Sequence, residues 1–283
     1  MAHGAPDLDP LILVRPGTDI ADVAKRFEVF EALHHSMQIC NPMTDAELDE
    51  VIDAVALSGG EHLYDVACGY GEVLVRCAER TSALPGKESP REGGAGGVTA
   101  EGIDLSPWMI AGALATSQSR APDAVIQWVL GEARDYAPGQ QPDVAFCLGA
   151  EWIWHDFSGT ARALANHLEP GGVAVIGAPR LHLQADSGAV SRQFGAIDTI
   201  DDMAATLAKH SLIPFHRVDP DDAGWDDYLD RTAVAAEQWR QTNPGQRAEQ
   251  WIAEQADWRI ARERDREVIG WSVWVARKGR ATE

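Results

Sequence analysis

The chain has 283 residues, of which 44 are Asp or Glu and 24 are Lys or Arg, giving a formal charge of −20 at pH 7. That balance repels phosphate backbones and anionic bilayers, so neither nucleic acid nor a membrane surface is expected as a partner. No apolar run approaches the length of about 18 residues that spans a bilayer, the N-terminal MAHGAPDLDP lacks the basic and apolar regions of a secretory signal, and the four cysteines (Cys40, Cys68, Cys77, Cys147) form no C-x-x-C pair, which argues against a metal knuckle or disulfide framework and fits a reducing cytoplasm.

Residues 1–17 carry three prolines and little periodicity, which predicts a loose tail. From 18 to about 40 the spacing of Ile20, Val23, Phe27, Phe30, Leu33 and Met37 is helical, and Asn41-Pro42 breaks it. Thr44 to Glu47 forms a capping box that opens a second helix through Leu48, Val51, Ile52, Val55 and Leu57, with Gly59-Gly60 as its stop. The 18–57 region is therefore expected to be a helical cap, and the main domain to occupy 58–283.

The period then changes. His62 to Ala67 reads as a buried strand, Cys68-Gly69-Tyr70-Gly71 as a tight turn, and Val73, Leu74, Cys77 and Ala78 as the start of a helix. Residues 82–97 have no apolar face and predict a flexible insertion. Strand and helix alternate again through Val98–Asp104, Pro107–Ser119, Val125–Leu130, Asp143–Leu148, Gly159–Leu168 with Ser158 as cap, and Val173–Gly177. After an irregular stretch at 179–197 come a helix ending near His210, strand Leu212–Val218, helices at 225–241 and 246–267, and a final strand over 269–276. The 225–267 region reads as a helical insertion. This alternation predicts a Rossmann-like, mostly parallel sheet with helices on both faces.

A strand, a glycine turn and a helix present free backbone N–H groups to a ligand at the carboxyl edge of such a sheet. Asp65 ends the strand before that turn. A carboxylate there opposes a pyrophosphate but suits an ammonium or sulfonium. Asp104 ends the next strand in Gly102-Ile103-Asp104-Leu105-Ser106, where a carboxylate can take both hydroxyls of a ribose. It lies 39 positions after Asp65, and the 82–97 insertion accounts for most of the excess over the roughly 20 of a compact unit. Glu132, in Leu130-Gly131-Glu132-Ala133, stands where it could accept from an exocyclic amine.

DVACGYGE, GIDLS, LGEA and LEPGGVAVIG, in that order, resemble the class I S-adenosylmethionine (SAM)-dependent methyltransferases over roughly residues 60–220. The resemblance implies seven strands with the last antiparallel, N- and C-terminal helical caps, and SAM as cofactor. It implies that Asp65, Ala67, Gly69 and Gly71 line the methionine moiety and that Asp104 holds the ribose. Leu105 would pack on the adenine, Glu132 and Ala133 would read its edge, and Cys147 and Leu148 would lie under the sulfonium. Ala67 departs from the family, which usually has glycine there. CNPMT, LGAEWIWHDF and WDDY…NPG…GWSVWVARK are similar to a bacterial subgroup acting on small molecules, which extends the likeness to about 36–278.

The acceptor is expected beside Glu151, Trp152, Trp154, His155 and Asp156, after the strand ending at Leu148. Glu151 and His155 are the candidate proton acceptors, and the alternative is a solvated loop with its tryptophans in the core. His34, His35 and His182 are further candidates. The sequence thus predicts a cytoplasmic methyltransferase, monomer or homodimer, with a small-molecule acceptor and no bound metal. The rival readings are an NAD-dependent oxidoreductase, which the missing G-x-G-x-x-G disfavours, and a non-catalytic SAM-binding protein.

Overall fold

The computed structural model describes residues 6–35, 37–83, 97–182 and 197–280. Nearly all of the 82–97 insertion, and most of the 179–197 stretch, lie outside them.

Eight strands form one sheet: β1 (Leu13–Val14), β2 (His62–Val66), β3 (Thr99–Asp104), β4 (Val125–Leu130), β5 (Val144–Leu148), β6 (Val173–Leu181), β7 (Leu212–Val218) and β8 (Ile269–Lys278). Their spatial order is β1-β4-β3-β2-β5-β6-β8-β7. All neighbours are parallel except β8, which runs antiparallel between β6 and β7. The expected seven strands are all present with the last antiparallel. The eighth is β1, a two-residue edge strand that pairs Leu13 and Val14 with Val129 and Leu130, inside the stretch read as a loose tail. Two residues are too few to show a period of two.

The described helices are α1 (Ile20–His34), α2 (Asp45–Val55), α3 (Glu72–Ser82), α4 (Pro107–Arg120), α5 (Phe157–His167), α6 (Ile200–Lys209), α7 (Asp222–Thr242) and α8 (Gln246–Asp265), with a 3₁₀ turn at Glu151–Trp154. The capping box at Thr44 forms as expected, with the Thr44 N–H donating to Glu47 at 2.7 Å and the Glu47 N–H to the Thr44 hydroxyl at 3.3 Å. The helix ends at Val55 on a left-handed Ala56, before the glycine pair expected to stop it. At α5 the cap is Asp156 rather than Ser158. Its carboxylate accepts from the Gly159 N–H at 2.6 Å, and the Ser158 hydroxyl instead meets His210 Nε2 at 3.1 Å.

Two apolar layers sandwich the sheet. One joins Leu48 and Ile52 of α2, Leu74 and Cys77 of α3, and Ile110 and Ala113 of α4 to Leu63, Phe146, Val175 and Val275. The other joins Phe157, Ala161 and Leu164 of α5 and Met203 and Leu207 of α6 to Val66, Ala145, Ile176 and Trp274. Every residue of β2 is buried, as expected for a central parallel strand covered on both faces. The register sets Asp65 level with Gly102 and Phe146, so its carboxylate sits at the carboxyl edge in the middle of the sheet.

Candidate functional site

The turn after β2 takes its shape from three left-handed residues: Ala67 (φ 55°), Gly69 (φ 54°) and Gly71 (φ 76°). Ala67 adopts the conformation a glycine would take there without cost. Gly71 is also required sterically, since a Cβ on it would lie 2.5 Å from the Trp128 ring. Trp128 closes against Gly102 as well, where a Cβ would meet it at 2.6 Å, and its indole N–H donates to Ser117 Oγ at 3.1 Å. One buried indole therefore props the turn, β3 and β4 into a single rigid edge.

Asp104 ties the turn to the tip of β3. One carboxylate oxygen accepts from the Gly69 N–H at 3.0 Å and the other from the Ser106 N–H at 2.8 Å. It is 8% exposed, and burial raises its carboxyl above the usual range against the pull of these bonds. Asp65 is 3% exposed, and no hydrogen bond reaches its carboxylate among the described residues. Burial, and secondarily the charge of Asp104, hold its carboxyl well above the ordinary carboxylate value. A buried carboxylate without a partner is a demand for a cation or a proton.

A cleft of about 940 Å³, counting its open mouth, runs along this edge. Ala67, Gly69, Asp104, Leu105, Glu132, Ala133 and Leu148 line it, so seven of the ten cofactor residues expected from sequence converge. Asp65 opens instead into an adjoining cavity that shares Ala67, Gly69, Cys40 and Leu148 with the cleft. Gly71 lines neither and serves as the N-terminal cap of α3. Cys147 is fully buried in the core and lines neither cavity, so its place is beneath the site.

The remaining cleft walls include Arg26, Phe27 and Phe30 of α1, and Gly149, Ala150, Trp152 and Ile153 after β5. Helix α1 thus closes over the edge, and Trp152, 60% exposed, faces it from the other side. Glu151 is half-buried and burial raises its carboxyl. Its charge also helps push up the thiol of Cys147. His155 is exposed, at φ 79°, and is not part of the cleft wall.

His34 is also outside the cleft. Its Nδ1 lies 2.7 Å from the Phe30 carbonyl, which only accepts, so Nδ1 carries the proton and Nε2 accepts from the Tyr228 hydroxyl at 2.9 Å. Burial lowers its pKa to about 4, and it fastens α1 to α7 as a neutral ring. His35 lines a groove with Trp108 and Trp239. His182 accepts from Arg180 at 2.9 Å in a separate, charged pocket.

Sequence reading missed Arg15. Its guanidinium donates to the carbonyls of Glu132 at 2.8 Å and Asp135 at 3.4 Å and lies 5.0 Å over the Tyr136 ring. Gly131 leaves it room, since a Cβ there would come within 2.6 Å of the Arg15 side chain. A lone arginine in an aperiodic segment carries no signal of such a partner. Asn41, read as a helix breaker within CNPMT, and Tyr70, read as part of the turn, were given no contact of their own, and both line the Asp65 cavity.

This strand order, with one antiparallel strand inserted beside the edge and a glycine turn after the first central strand, defines a class I methyltransferase fold. No family model matches the chain. It is 26% identical over 264 residues, 90% of this chain and 98% of the relative, to the Escherichia coli (strain K12) protein YjhP. Among solved structures, a SAM-dependent methyltransferase from Thiobacillus denitrificans in complex with S-adenosyl-L-homocysteine is 26% identical with a TM-score of 0.74, over 88% of this chain and 98% of that one. A SAM-dependent methyltransferase from Geobacter sulfurreducens, also in complex with S-adenosyl-L-homocysteine, is 24% identical with a TM-score of 0.77, over 89% of this chain and 98% of that one. The chain thus shares its fold over nearly its whole length with SAM-dependent methyltransferases.

Proposed function

We propose that this protein transfers a methyl group from SAM to a small-molecule acceptor bound between the aromatic face of α1 and the turn after β5. The observation that carries the reading is the pair of buried strand-tip carboxylates, Asp65 without a partner and Asp104 pinned by two backbone N–H groups, opening on one edge. Asp65 suits the cationic amino-acid end of the cofactor, and the outer lone pairs of Asp104 suit the ribose. Leu105 and Ala133 form apolar walls at the adenine end, with Glu132 at its rim. A pyrophosphate in this turn would face Asp65, which disfavours NAD.

When bound, SAM supplies an electrophilic methyl group on a sulfonium. The protein's part is orientation and exclusion of water. Phe27, Phe30 and Trp152 give the acceptor side an aromatic lining suited to a flat or apolar molecule. Of the two proton acceptors read from sequence, Glu151 has the better setting: it does not itself line the cleft but stands half-buried between Ala150 and Trp152, which do, whereas His155 is exposed. Helix α1, tied to α7 through His34 and Tyr228, acts as the cover of this edge. The formal charge of −20 weighs against a nucleic-acid acceptor, and no described helix is long and apolar enough to cross a membrane.

Calorimetry with S-adenosylhomocysteine (SAH) and NAD, followed by an acceptor screen that reads SAH release, tests the proposal. SAH is expected to bind and NAD not to. With an acceptor in hand, Glu151→Gln should keep SAH affinity while turnover falls roughly 10²–10⁴-fold, the range for a positioned base, and His155→Ala should leave turnover near wild type. Binding of NAD without SAH would overturn the cofactor reading. Full activity in Glu151→Gln would remove Glu151 as the base.

A further inference from the structure

The Asp65 cavity holds more unanswered polar atoms than Asp65 itself. Asn41 sits in the connector between α1 and α2, and its Nδ2 donates to the Leu148 carbonyl at 3.5 Å. That contact fixes which end of the carboxamide is oxygen, because an oxygen turned toward the carbonyl would be repelled. The opposite atom, Oδ1, is buried and has no hydrogen-bond partner. The Tyr70 hydroxyl, from the glycine turn, is likewise buried without a partner. Both residues line the same cavity as Asp65, together with Gln38, Cys40 and Leu148.

The position of Asn41 is built rather than incidental. Its Cβ lies 3.6 Å from where a side chain on Gly149 would begin, directly after β5. On its other side the Pro42 carbonyl lies 2.8 Å from where a Cβ on Gly224 of α7 would be. The connector is therefore clamped between two glycines, one at the sheet edge and one in the first turn of a helix. Buried polar atoms in native proteins almost always have partners, so two orphans around an unpaired carboxylate mark a place where a ligand supplies them.

We infer that Asn41 and Tyr70 complete the amino-acid end of the cofactor site, with Asn41 Oδ1 joining Asp65 around the α-ammonium and the Tyr70 hydroxyl donating to the α-carboxylate. The count of groups agrees. An ammonium has three N–H donors, and two Asp65 oxygens with one Asn41 oxygen make three acceptors. The Tyr70 phenol is kept protonated by burial and by the nearby Glu31, Cys40 and Asp104, which leaves it as a donor. The inference rests on the SAM reading above and extends it to the α1–α2 connector before the sheet.

The test compares SAH with 5′-methylthioadenosine, which keeps the adenosine and the sulfur but has neither ammonium nor carboxylate. Wild type should bind SAH more tightly than methylthioadenosine. Asn41→Ala and Tyr70→Phe should each weaken SAH about tenfold and leave methylthioadenosine within twofold of wild type. Asn41→Leu, which keeps the branched shape of the side chain, replaces Asn41→Ala if that variant does not fold. A variant that weakens both ligands equally, or neither, overturns the inference while leaving the SAM reading intact. Wild-type protein that binds neither ligand overturns the SAM reading itself.

Discussion

Replacing Asp104 with alanine should damage the free protein before any cofactor is involved. The carboxylate holds the Gly69 N–H at 3.0 Å and the Ser106 N–H at 2.8 Å in a site with little access to water. Alanine orphans both donors, and each buried unsatisfied group costs about 1–3 kcal/mol. Against this, the variant is relieved of a buried charge, whose cost is visible in the raised carboxyl. The net loss should fall near the lower end, about 2 kcal/mol, which for a domain of this size lowers Tm by roughly 4–8 °C. Asp104→Asn retains one acceptor but turns an amide N–H toward the second donor, so it should lose about half as much. Differential scanning calorimetry without ligand reads this directly, and SAH titration adds the loss of the ribose acceptor, at least tenfold in affinity by the roughly 1.5–3 kcal/mol of a charge-assisted bond. An Asp104→Ala protein with wild-type Tm but weakened SAH binding would refute the idea that this carboxylate braces the turn.

The remaining predictions concern the same edge. Asp65 has its carboxyl raised in the free protein, so its contribution to stability is fully present below the ordinary carboxylate value and is lost as pH climbs through the raised one. A bound ammonium favours the ionised form, so SAH affinity should rise with pH across that window and then level off. Calorimetry from about pH 5 to about pH 8 in wild type and Asp65→Asn measures it, and a flat wild-type profile would contradict the unpaired carboxylate. Gly71→Ala combines left-handed strain of about 1–2 kcal/mol with overpacking against Trp128 of about 1–3 kcal/mol. Gly69→Ala, whose nearest neighbour would be Met109 Sδ at 3.9 Å, should lose only the first part. Equal denaturation midpoints for the two variants would deny Trp128 its role under the turn.

The sheet was legible because its signals are local. The buried run at 62–66, the glycine turn and the acidic tip at Asp104 each speak within a few residues, and their order carries the topology. The capping box at Thr44 was readable for the same reason. Competition between neighbouring caps was not, since Asp156 and Ser158 both suit an N-cap and only the start of α5 at Phe157 decides between them. Asn41 and Arg15 escaped for a different reason. Their partners, Leu148 and Glu132, lie more than a hundred positions away, and neither segment has a period that would announce a contact. Cys147, expected under the sulfonium, is buried in the apolar layer with Ala145 beneath the site.

The strap formed by Arg15 decides how the adenine end of the cleft is held. The loop from Gly131 to Tyr136 is secured by a residue 117 and 120 positions away in sequence, so the tightness of that end depends on a thread at the sheet's outer edge, where β1 pairs with β4. A bulky fusion ahead of that thread would be felt first as faster escape of the cofactor, in a protein whose melting behaviour is otherwise unchanged.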